Sequence, residues 1–168
     1  GPQEVFIFTT CQVGAEKALK DEIARLHQDL KPAFSRPGFV TFKGSWTGNS
    51  QKLVAWDLSS VFARSYGLSL GQAKNIEELP SLVYASLSGF EKYKRLHLHV
   101  WERDRHKVGE EPLGWQRNLR VEEVRRSLME SGKFLQPTVA FQNGDLVLDV
   151  IDVDENLWWL GCHEHSSM

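Results

Sequence analysis

Cysteine is nearly absent from this chain of 168 residues: only Cys11 and Cys162 occur, near opposite ends. Two thiols cannot build the disulfide framework of a small secreted domain, and two reduced core cysteines in a cytosolic protein are the expectation. No apolar run approaches the roughly 18 residues needed to span a bilayer. The opening Gly-Pro-Gln-Glu-Val has neither the basic nor the apolar region of a secretory signal. A cytoplasmic protein without a membrane partner is therefore expected. Phosphate-cradling glycine loops are missing as well: no Gly-x-Gly-x-x-Gly follows a strand and no Gly-x4-Gly-Lys-Ser/Thr occurs. Nor is there a Gly-x-Ser-x-Gly nucleophile elbow. These absences argue for a stretch that binds or positions something, without a cofactor or catalytic residue of its own.

What is present is a globular composition, 41% hydrophobic and 25% charged, enough for one ordinary domain or two small ones. The charge is sorted along the chain. Residues 92–133 hold eleven of the twenty Lys and Arg against seven acids, whereas from Phe134 onward there are six acids and no Lys or Arg. A net charge of −2 hides this basic middle, which is a candidate footprint for a polyanion.

Residues 4–10 read as a buried strand bounded by a turn at Gln12-Val13-Gly14. Ala15, Leu19, Ile23, Leu26 and Leu30 recur at spacings of three and four and predict a helix over 14–30, stopped by Lys31-Pro32. Residues 33–36 and 39–43 flank Pro37-Gly38 as a hairpin. A short helix over 51–58 and a strand over 61–70 complete the order β-α-β-β-α-β of a ferredoxin-like split βαβ unit. Beyond a boundary near residues 72–75, Pro80 opens a helix to about Leu87. Residues 95–102 alternate with period two, setting Leu96, Leu98 and Val100 against His97, His99 and Trp101. Asn118 caps a helix to Ser131 with Val121, Val124 and Leu128 inward. Strands over 145–153 and 156–162 surround a turn at Asp154-Glu155. The fold class expected is α+β, two small units divided into 1–73 and 74–168.

The candidate binding residues lie in the basic stretch. Arg103, Arg105 and Lys107 follow a strand, Arg117 and Arg120 stand at a helix start, and Arg125 and Arg126 lie further along it. Trp115 interleaves with them, as do Tyr93 and Trp101. Unstacked RNA bases stack on such rings while Arg and Lys hold phosphates. Cations at a helix N-terminus oppose the helix dipole, and an anion between Arg117 and Arg120 relieves that cost. The same residues also suit an ordinary solvated face paired with Glu122, Glu123 and Glu130. Metal binding has one candidate, Cys162-His163-Glu164-His165 with Cys11, which falls short of paired zinc-ligand spacings.

Three phrases carry a family resemblance. They are residues 10–22 (TCQVGAEKALKDE), residues 35–42 (SRPGFVTF), and the closing DLVLDVI at 145–151 with WWLG at 158–161. Their order resembles the N-terminal half of the M-type ribose 2′-O-methyltransferases of large-subunit ribosomal RNA, and THUMP-containing RNA-modifying enzymes more broadly. The resemblance implies an N-terminal ferredoxin-like unit followed by a THUMP-like RNA-binding unit. It also implies a Rossmann-fold catalytic domain in the same polypeptide that uses S-adenosylmethionine. Neither a cofactor glycine loop nor the family's Lys-Asp-Lys-Glu set can be assigned in this stretch, so catalysis is expected beyond Met168. Ribosomal RNA and the catalytic domain in cis are the implied partners. A protein-interaction or self-association module without RNA affinity is the alternative, suggested by the acidic, Trp-rich end beside the basic middle.

Overall fold

Strand β1 (Gln3–Thr10) is buried along its second half, where Ile7, Phe8, Thr9 and Thr10 have neighbours on both faces. That burial follows from its central place. In this computed structural model, which describes residues 1–105 and 118–166, β1 pairs antiparallel with β3 (Phe39–Trp46) and with β4 (Ser65–Ala73). β2 (Lys31–Arg36) pairs antiparallel with β3 across the Pro37-Gly38 turn. The order β2-β3-β1-β4 is the split βαβ arrangement, with helix α1 (Glu16–Leu26) as the crossover between β1 and β2.

Contacts divide the chain into two units within β4. The first holds Gly1–Ser69 together with residues 103–105 of the next described stretch; the second holds Leu70–Glu102 and Asn118 onward. In the second unit, α2 (Leu79–Leu87) leads to β5 (Leu96–Glu102), α3 (Leu119–Met129), β6 (Leu146–Asp154) and β7 (Leu157–Glu164). β5 and β6 run parallel, joined through α3, and β6 and β7 form an antiparallel hairpin. The α+β expectation holds.

Register sorts the second unit's side chains into two faces. Leu96 lies opposite Leu146, and Asp152 opposite Trp158. One face therefore carries Val100, Leu148, Val150, Trp158 and Leu160, all at most 1% exposed. Helix α3 covers this face, since Arg120 reaches Asp152 and lies over the Trp158 ring. The other face carries His97, His99 and Trp101 of β5, Asp149 of β6 and His163 of β7.

Local details depart from the sequence reading in four places. Helix α1 stops at Leu26, and of its predicted stripe Leu26 is 44% exposed while Glu22 is buried. Glu22 turns inward because its carboxylate accepts from the Val61 and Phe62 amides and from the Ser60 hydroxyl. Those bonds hold residues 60–62 as a loop, so the predicted 61–70 strand begins only at Ser65. The predicted helix over 51–58 is a 3-10 helix, Ser50–Ala55, capped by the Asn49 side chain on the Gln51 amide. The last hairpin turns at Glu155-Asn156, one residue later than the alternation implies.

Candidate nucleic-acid interface

Helix α3 shows what its arginines do. At about 100° per residue, Val121, Val124 and Leu128 form one stripe, with Arg120 and Arg125 about 70° to either side of its centre and Arg126 about 170° away. The contacts follow that geometry. Arg120 donates to the Glu155 carbonyl at 2.9 Å and sits 3.6 Å from the Asp152 carboxylate. Its guanidinium carbon lies 5.4 Å from the Trp158 ring centre. Arg125, on the opposite flank, donates to the Val100 carbonyl at 2.8 Å. Arg126 points outward and is exposed. The helix starts as predicted, with the Asn118 side chain accepting from the Val121 amide.

Two further candidates belong to the first unit. Arg103 is only 8% exposed and donates to the Pro37 carbonyl at 2.9 Å, whereas Arg105 is exposed. Beside them Arg64 and Asp104 form an ion pair at 2.9 Å. Lys107, Trp115 and Arg117 lie outside the described residues. Of the predicted set, then, Arg105 and Arg126 face solvent, while Arg103, Arg120 and Arg125 tie their own units together.

Beside the buried Val147, Ile151 and Trp159, the other face of β5, β6 and β7 carries a polar cluster ordered by two aspartates. Asp149 accepts from His163 at 2.7 Å and from the Trp101 indole at 3.2 Å, with His99 3.4 Å away. Burial opposes its charge, but the imidazole hydrogen bonds outweigh burial and hold its carboxyl below the ordinary range. Burial likewise disfavours the imidazolium of His163, yet Asp149 raises its pKa overall. Near the start of β6, Asp145 meets His97 at 2.6 Å and Arg95 at 2.9 Å and accepts from the Gln142 amide at 2.9 Å. Those bonds overcome burial and set the Asp145 carboxyl at about 2. Sequence alternation placed His97 and His99 together, but His97 is buried rather than part of an open surface.

Strand alternation also separates the metal candidates. Cys162 points into the helix-covered core while His163 points to the other face. Among the described residues no three His, Cys, Asp or Glu side chains are arranged to hold a metal ion. Both cysteines are free and buried, and burial raises their thiols, that of Cys11 to about 11.

No family model matches this sequence, and no curated protein matches it significantly. Solved structures match its fold. TrmN from Thermus thermophilus aligns over 94% of the chain with a TM-score of 0.57 and 16% identity. The fold is ferredoxin-like, then THUMP-like. A possible methylase from Clostridium difficile 630 aligns over 95% of the chain, with a TM-score of 0.53 and 13% identity. A 4-thiouridine synthetase in complex with RNA and bound ATP aligns over 96%, with a TM-score of 0.50 and 12% identity. At such identities the likeness is one of fold. The chain spans 45%, 41% and 42% of these three proteins, less than half of each.

Proposed function

We propose that this chain is the RNA-binding region of an S-adenosylmethionine-dependent methyltransferase. It docks ribosomal RNA for 2′-O-methylation of a ribose by a catalytic domain in the same cytoplasmic polypeptide. The observation that carries this reading is the fold match over nearly the whole chain to TrmN, to a possible methylase and to a 4-thiouridine synthetase in complex with RNA. Exposed Arg105 and Arg126 supply cations for phosphate contacts.

The methyl donor does not fit the described residues. The β1–α1 turn runs through Gly14 into a helix, the geometry that cradles anions. That turn is occupied from within: the Glu16 carboxylate accepts from its Gly14 amide at 3.0 Å and, from the β2–β3 turn, the Gly38 amide at 2.8 Å. The donor therefore belongs to the catalytic domain in this proposal, and no chemical step falls to these residues.

The experiment is a titration of fluorescent ribosomal RNA fragments with the protein at low and rising salt. Saturable binding that weakens with salt is expected. Undetectable binding at low salt would overturn the reading. One observation favours the protein-interaction alternative: Leu26, Val61 and Phe62 are 44%, 86% and 43% exposed around the Glu22-held loop. Concentration-dependent dimers in light scattering, without RNA affinity, would select it.

A further inference from the structure

An open depression of about 380 Å³ lies where the segments entering β5 and β6 meet, lined by Lys92, Lys94, Arg95, Gln142, Asn143 and Glu164 among others. Its acidic groups are engaged. Asp145 holds Arg95 and His97, and Glu164 accepts from the Tyr93 hydroxyl at 2.7 Å. Lys92 and Lys94 are exposed residues of its lining, the Lys92 ammonium lying 5.1 Å from the centre of the Tyr93 ring. Directly before Gln142 stands Phe141, half exposed, its ring stacked on His165 at 5.1 Å between centres with 25° between planes. His97 braces the same ring at 4.3 Å.

This exposed aromatic is fixed from both sides. Arg95 donates to the Ala140 carbonyl at 3.2 Å, and the Gln142 amide donates to Asp145 at 2.9 Å. The Gly144 amide donates to the His165 carbonyl at 3.0 Å, and the His165 amide to the Asp145 carbonyl at 2.7 Å. One buried carboxylate thus orders the Arg, the His and the loop that presents Phe141. A rigid ring of this kind offers a stacking surface without an entropic cost of ordering it on binding.

We propose that this corner of the second unit binds a single-stranded RNA segment, one base stacking on the open part of Phe141 and the flanking phosphates contacting Lys92 and Lys94. Stacking is sequence-tolerant because every base has a π face, and the two cations track the backbone. Gln142, which carries both a donor and an acceptor, lines the same depression. The proposal rests on the RNA-binding reading and assigns it a strand type and a site.

Fluorescence anisotropy with a labelled oligouridylate and with a blunt RNA duplex tests it. The variants are Phe141→Ala, Phe141→Tyr and the double change Lys92→Glu with Lys94→Glu, with the double change Lys17→Glu and Lys52→Glu at exposed positions of the first unit as a charge-matched control. Phe141→Ala should weaken oligouridylate binding about fivefold to a hundredfold, Phe141→Tyr should retain it, and the lysine reversal should weaken it at least tenfold with the control near wild type. Thermal melts confirm that each variant is folded; should Phe141→Ala unfold, the lysine reversal and Phe141→Tyr still decide. Wild-type binding that survives both Phe141→Ala and the lysine reversal overturns this site and leaves the RNA-binding reading standing. Equal loss of duplex binding in Phe141→Ala overturns the stacking role. If the wild-type protein binds neither RNA, the broader reading falls and takes the site with it.

Discussion

Asp149 is 2% exposed and still charged, because His163, His99 and the Trp101 indole together replace its water. The pair it makes with His163 ties stability to pH in two directions. His163 has a folded pKa above its unfolded one, so its contribution is complete below the unfolded value of about 6.5 and lost as pH rises through the folded value. Asp149 is shifted downward, so its contribution is present above the unfolded carboxylate range and lost as pH falls through its folded value. Between these limits the pair acts as one interaction, not two. Urea denaturation across the weakly acidic to weakly alkaline range should show stability falling as pH rises through the His163 titration. In Asp149→Asn that slope should flatten. Identical slopes in wild type and variant would show that the pair does not set it.

At the scale of elements, the β2–β3 hairpin depends on Gly38. Its φ of +78° lies in the left-handed region, and an added Cβ would stand 2.6 Å from the Asp104 carbonyl oxygen and 3.3 Å from that of Cys11. Both neighbours are backbone, so neither can swing aside. Gly38→Ala should destabilise the protein by on the order of 1–3 kcal/mol. Gly48, at φ +101° with open space around it, should lose less on the same change. Equal shifts of the urea midpoints for the two alanines would reject the close-approach argument. Helix α3 teaches a related lesson. The sequence shows Arg120, Arg125 and Arg126 as one basic cluster, yet two of them flank the buried stripe, Arg125 bonding a β5 carbonyl and Arg120 a turn carbonyl. Substituting Arg120 or Arg125 would disturb packing along with charge, which leaves the exposed Arg126 as the cleaner probe of phosphate contact on this helix.

Over the whole molecule a net charge of −2 provides no long-range pull on RNA, so attraction must be local. Two phosphate contacts from Lys92 and Lys94 imply a slope of log affinity against log salt of about −1.4 for a single strand. A measured slope several times steeper would mean that a wider basic surface takes part, Arg105 and Arg126 included. The unequal charge of the chain's middle and end is not a boundary between the two units. The basic α3 and the acidic β6–β7 hairpin belong to one unit, joined by Arg120, Asp152 and Glu155.

Periodicity and turn chemistry were enough to read most of this fold. The β-α-β-β order, the Pro37-Gly38 hairpin, the Asn118 cap and the two faces of β5 are local matters, since alternation, capping and proline geometry act within a few residues. The interface was less legible. Whether an arginine meets water, a carbonyl or a ring depends on what a distant strand or turn places beside it, as the Val100 carbonyl does for Arg125 and Pro37 for Arg103. Glu22 turning inward and Phe141 held outward have the same origin. Each is set by partners distant in sequence, such as Val61, 39 residues from Glu22, and His97, 44 residues from Phe141, and only the folded chain brings such partners within hydrogen-bonding or stacking distance.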